Sequence, residues 1–99
     1  MKHFVVEIIY KVPIEKVNEI LPLHRQFLQT GYDKGIFLAS GPQVPRIGGI
    51  IIARSKSMED LATFLQDDPY LQNNIAHYQY IEFEPVKHQG FIADWIEGK

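Results

Sequence analysis

His24 carries the most chemical promise in this chain, because an unperturbed imidazole is the one side chain that gains and loses a proton near neutral pH. It falls on a stripe formed by Val17, Ile20, Leu21, His24, Phe27, Leu28 and Gly31, whose spacings of three and four mark the inward face of an amphipathic helix. A ring nitrogen turned inward needs a partner, and one choice is a backbone carbonyl, for instance one freed by Pro22. The other choice is an acid. Asp68 stands directly before Pro69 and Tyr70, where by itself it reads as an N-cap carboxylate accepting amides of the turn that the proline begins. Read together, the two residues are a candidate acid–base pair. A carboxylate bonded to one imidazole nitrogen fixes the tautomer and raises the basicity of the other, which suits general acid–base chemistry. Both residues belong to helical segments expected on the same face of a sheet, so a meeting near the helix ends is geometrically open.

Three further residues have two readings each. Ser40 before Gly41-Pro42 could donate a hydrogen bond into a pocket or serve as a turn hydroxyl. Tyr70 could supply a ring wall or a phenolic donor, or simply pack. Arg46 could attract an acidic substrate, although a loop arginine is more often solvated.

Other chemistries are excluded by composition. With no cysteine among 99 residues there is no disulfide, zinc-thiolate site, iron–sulfur cluster or thiol nucleophile. His3, His77 and His88 show no metal-ligand spacing, and the Gly48-Gly49 pair is too short for a phosphate loop, so neither a metal nor a cofactor is expected. A formal charge of -2, from 10 basic and 12 acidic residues, offers no footprint for nucleic acid or an anionic membrane surface. No apolar run reaches the roughly 20 residues of a membrane helix, and Glu7 interrupts the start where a signal peptide would stay apolar, so a cytoplasmic protein is expected.

The elements that must position these residues follow from the hydrophobic pattern. Residues 3 to 11, rich in β-branched and aromatic side chains, predict a buried strand. A helix follows from Pro13 to near Gly31, with a kink or local break at Pro22. Lys34 to Ser40 reads as a second strand stopped by Gly41-Pro42, and Gly48 to Arg54 as a third, with Gln43 to Ile47 as a loose hairpin between them. Ser57 caps a second helix from Met58 to about Gln66 that faces the sheet through Met58, Leu61, Ala62 and Leu65. Pro69 starts a new short turn, and Ala76 to Glu84 forms the last strand before Pro85. The order is βαββαβ, a single ferredoxin-like α+β domain with an antiparallel sheet and helices on one face. The opposite sheet face needs a cover, and a homodimer would supply it. Residues 87 to 99 carry Phe91, Ile92, Trp95 and Ile96, a tail expected to pack across the dimer or over a pocket.

The arrangement resembles the YciI-like (YCII-related) family of small proteins. The resemblance rests on His24 in the first helix and on Gly35 to Gly41-Pro42 through Ile-Phe-Leu-Ala-Ser. It extends to Gly49 opening the third strand and to the run from Ser57 to Asp68-Pro69-Tyr70, and so spans most of residues 3 to 86. It implies a ferredoxin-like fold of the dimeric α+β barrel type and an active site centred on a histidine and an aspartate, places taken here by His24 and Asp68. One member of the family is a dehydrochlorinase acting on a chlorinated hydroxyquinol, and the wider superfamily includes muconolactone isomerase and metal-free monooxygenases. The chain departs from the common pattern at Pro22 and in its last strand, where His77, Tyr78 and Tyr80 are its own.

The expectation is therefore a small cofactor-independent enzyme. His24, oriented by Asp68, would remove or deliver a proton on a small organic molecule, aromatic or cyclic, with Ser40 and Tyr70 orienting the substrate. The alternatives are a ligand-binding or sensor module built on the same cleft and a structural dimer. A His24 ring beside Asp68 and open to a cavity favours the enzyme; a sealed ring bonded only to backbone favours the others.

Overall fold

β-branched and aromatic side chains dominate Lys2–Tyr10, which is strand β1 of the computed structural model, in which residues 1–99 are described. Side chains alternate along a strand, and here Phe4, Val6 and Ile8 are sealed while Val5, Glu7 and Ile9 turn to the other face. The buried strand predicted from sequence is thus buried on one side within a single chain.

Helix α1, Ile14–Asp33, buries Val17, His24 and Gly31 toward the sheet. It runs through Pro22 as one element, so of the predicted kink or local break the break does not occur. Pro22 and Asn18 are both exposed, and water can take the Asn18 carbonyl that the proline leaves without an amide. Nor does the helix stop at Gly31. There the missing side chain serves packing, because a Cβ would run into the Phe37 ring. The chain turns instead at Gly35, whose φ of +72° suits glycine, with Gly35 N donating to Tyr32 O at 2.9 Å and Ile36 N to Gly31 O at 2.8 Å.

This late exit moves strand β2 to Phe37–Pro42 rather than Lys34–Ser40. Gly41-Pro42 lies inside the strand instead of ending it, since β2 is an edge strand and Pro42 has a free side on which no amide is required. Strand β3, Gly48–Ser55, pairs with both β2 and β1. Gly48 packs so close to the Ile8 carbonyl that no side chain fits there, which draws the hairpin loop down onto β1; Tyr10 N donates to Ile47 O at 3.2 Å.

Helix α2, Met58–Leu65, begins at Ser57, whose hydroxyl accepts from Asp60 N at 3.0 Å as the capping pattern predicts. Leu61 and Leu65 form its buried ridge. Met58, predicted to face the sheet, is 44% exposed, because it sits at the first position beyond that ridge, and Phe64 packs with Phe27 and Phe37. The one-turn helix α3, Pro69–Gln72, leads to strand β4, Ala76–Phe83. All pairings are antiparallel in the order β2-β3-β1-β4, with α1 joining β1 to β2 and α2 with α3 joining β3 to β4. This is the ferredoxin-like architecture with helices on one face. No helix is long and apolar enough to cross a membrane.

The tail does not reach the His24 region. A 3-10 turn at Gly90–Ile92 and helix α4, Ala93–Ile96, place Trp95 against His3 and Arg54, at the far end of the uncovered sheet face. Arg54 holds it there, donating to Trp95 O at 2.7 Å, while Phe91 is left 88% exposed. Burial, together with the chain's amino terminus and Arg54, lowers the pKa of His3 against a raising influence from the Ile96 carbonyl.

Candidate active site

Pro69 disfavours helical geometry in the residue before it, and Asp68 accordingly sits at φ -66° and ψ 124° as the N-cap of α3. Its Oδ1 accepts the Tyr70 amide at 2.9 Å. The side chain is fully sealed, so its remaining lone pairs need donors from the protein. Tyr78, on the helix-facing side of β4, donates its hydroxyl to Oδ2. His24 Nδ1 stands 2.9 Å from Oδ1 and 3.0 Å from Oδ2. The cap and the imidazole partner are therefore one carboxylate in both roles, not competing readings of it.

These donors define the state of the histidine. A carboxylate that already accepts an amide and a phenol offers no proton, so Nδ1 must carry an N–H directed at it, and in the neutral ring Nε2 then carries the lone pair. Nε2 has no hydrogen-bond partner in the protein, yet it is not among the sealed, unsatisfied atoms. It keeps access to solvent although the residue as a whole is 5% exposed.

The Tyr70 ring lies flat on the imidazole, with centroids 3.8 Å apart and an interplanar angle of 5°, and Tyr10 meets Tyr70 edge-on at 6.1 Å. These rings hold the imidazole plane from one side while Asp68 holds its edge. Burial raises the pKa of Tyr70, with Tyr10 adding to the rise and Arg46 opposing it. Burial and then the Asp68 carboxylate raise that of Tyr78, and the same causes act on Tyr80. The phenols are thus kept as donors rather than bases, which leaves His24 Nε2 as the basic atom of the cluster.

Nε2 opens toward a cavity of about 440 Å³ between α1 and the β2–β3 end of the sheet. Ile8, Leu21, Leu28, Ile50 and Ile51 form apolar walls, and the polar lining includes Tyr10, Ser40 and Tyr70. Ser40, predicted as a substrate donor, does line this cavity; its hydroxyl pairs with the Tyr32 hydroxyl at 2.7 Å. His24, Asp68, Ser40 and Tyr70 are thus gathered around one hollow, with Asp68 behind His24 rather than on the wall. Of the other histidines, His3 lies at the opposite end of the sheet and His77 and His88 are exposed.

Sequence reasoning did not foresee Tyr78 as the third partner of Asp68, nor Tyr10 and Arg25 on the cavity, and it left Arg46 as a solvated loop cation. The alternation Ala76, Tyr78, Tyr80 is visible in the sequence and assigns these residues to one face. Which carboxylate that face would meet is set by the β1–β4 register, with Tyr78 opposite Ile8.

The model of the YCII-related domain matches residues 1–84. Among solved structures, the chain is similar to 5-chloro-2-hydroxyhydroquinone dehydrochlorinase from Burkholderia phenoliruptrix in complex with 2,5-dihydroxybenzoquinone. The superposition has a TM-score of 0.68 at 16% identity and covers 90% of this chain and 97% of that one. No curated protein matches the chain in sequence.

Proposed function

The chain belongs to the YCII-related domain family, and we propose that it is a small cofactor-independent enzyme in which His24, held by Asp68, transfers a proton on a small aromatic or cyclic molecule during an elimination or isomerisation. One observation carries this reading: Nδ1 is tied to a sealed carboxylate while Nε2, unpartnered, faces a cavity of substrate size. In the proposed step Nε2 takes a proton from the substrate, and the resulting imidazolium is stabilised by Asp68 without the proton passing to it. In an elimination the electrons of the broken C–H bond form a double bond, and a leaving group departs with its own bonding pair. In an isomerisation the imidazolium returns the proton at a second carbon. The Tyr70 and Ser40 hydroxyls would orient the substrate, and the Tyr70 ring would keep the imidazole in plane. The fold neighbour is named as a dehydrochlorinase and was solved with a hydroxylated quinone, which is in keeping with ring chemistry of this kind.

Carbon acids betray such a base by exchanging hydrogen with solvent. When the protein is incubated in D₂O with a panel of hydroxylated aromatic acids and unsaturated lactones, NMR should show deuterium entering, or product forming from, at least one compound that binds. Binding with neither exchange nor product across every binder would sink the enzyme and leave a sensor.

A second copy of the chain is proposed to cover the open sheet face. Registered pairing lines up Val5 with Ile52 and Ile81 there, next to the exposed Ile9 and Phe83. Analytical ultracentrifugation should report a dimer at micromolar concentration; a monomer would remove this part of the proposal.

A further inference from the structure

Resting on that proton-transfer reading of the same cavity, we infer that its substrate is an anion, a planar ring bearing one ionised acidic group, held by Arg46 with Arg25 as the second cation. The chain is acidic overall, yet the only ionised side chains on the cavity wall are Arg25 and Arg46, and no Asp or Glu lines it. Neither arginine has a salt bridge, and Arg46 meets only the Tyr70 hydroxyl. By contrast, Arg54 is fixed by the carbonyls of Gly35, Trp95 and Lys99. Two guanidiniums with no acidic partner, bordering an apolar hollow, are matched to a ligand with an apolar body and a charged edge.

The placement also ties charge to chemistry. Arg46 stands near enough to the Tyr70 hydroxyl to pull its pKa back down, against burial and Tyr10, and the Tyr70 ring lies on His24. An acid group seated on Arg46 would therefore lie at the hydroxyl edge of the ring that flanks the imidazole. A substrate anchored there would present its ring across the mouth of Nε2. Arg25 follows His24 directly in α1 and joins the cavity wall beside it.

The test compares 2,5-dihydroxybenzoate with 2,5-dihydroxybenzamide, which differ in charge and little in shape, by calorimetric titration. The acid should bind about tenfold or more tightly than the amide, and R46Q should remove most of that preference, with R25Q removing a smaller part. Equal affinities in the unaltered protein, a preference that survives in the folded R25Q/R46Q double variant, or binding of neither compound would each overturn the anion assignment. The His24→Asn variant separates this idea from the one beneath it. If it keeps the acid preference and yet exchanges deuterium as fast as the unaltered protein, the proton-transfer reading fails while the anionic pocket stands. If the unaltered protein exchanges but shows no preference, the reverse holds.

Discussion

His24→Asn should lower solvent exchange and turnover by about 10²- to 10⁴-fold, the usual contribution of a positioned general base, while leaving the protein folded. Asparagine is the informative choice because its amide N–H can reach where Nδ1–H stood and still donate to the sealed Asp68 carboxylate. What it deletes is the rest of the ring and with it Nε2, the atom open to the cavity. Alanine would confound the result by leaving Asp68 one donor short in a sealed site. Circular dichroism and the affinity for 2,5-dihydroxybenzoate should be close to those of the unaltered protein. Turnover that persists unchanged in the folded variant would show that the imidazole does not move the proton.

Asp68 is expected to give two separable results. In Asp68→Asn the oxygen kept at the Oδ1 position still accepts the Tyr70 amide, and the new NH2 at the Oδ2 position directs donors at His24 Nδ1, 3.0 Å away, and at the Tyr78 hydroxyl, which can turn to accept. Nδ1 then becomes the acceptor, the proton moves to Nε2, and the nitrogen facing the cavity can no longer take a proton. Activity should fall about 10²- to 10⁴-fold for this reason alone. The ¹⁵N spectrum of His24 reports the cause without any substrate, showing Nδ1–H in the unaltered protein and Nε2–H in the variant. Asp68→Ala instead leaves the Tyr78 hydroxyl, the Tyr70 amide and His24 without their shared acceptor in a sealed site. A loss of about 3–5 kcal/mol is expected, which for a domain of this size lowers the melting midpoint by more than about 10 °C. An unchanged tautomer in Asp68→Asn, or a midpoint unmoved in Asp68→Ala, would contradict the geometry from which both results are drawn.

The positions of His24 and Asp68 were legible because each obeys a local rule. Helical spacing assigns His24 to the inward stripe, and the Asp-Pro step assigns Asp68 to the start of a turn. Where local rules misled, tertiary context had overridden them. Pro22 predicts a break, but the carbonyl it orphans faces water, and the helix pays no burial penalty there. Gly31 reads as a helix end, but the chain uses it to seat Phe37 and turns at Gly35 instead.

By itself the amino-acid order determined the sequence of the main strands and helices, most of their inward faces, and the two residue types able to share a proton. Those properties depend on periodicity and capping, which act over a few residues. Only the folded chain decided that the two side chains meet, that Tyr78 completes the carboxylate's partners, and that a pair of arginines borders the cavity. Such contacts join α1, α3, β4 and the β2–β3 loop, segments separated by up to 44 positions in the case of His24 and Asp68. Strand register and the close approach of backbones at Gly48 and Gly31 set those distances, and neither is expressed in any local run of residues.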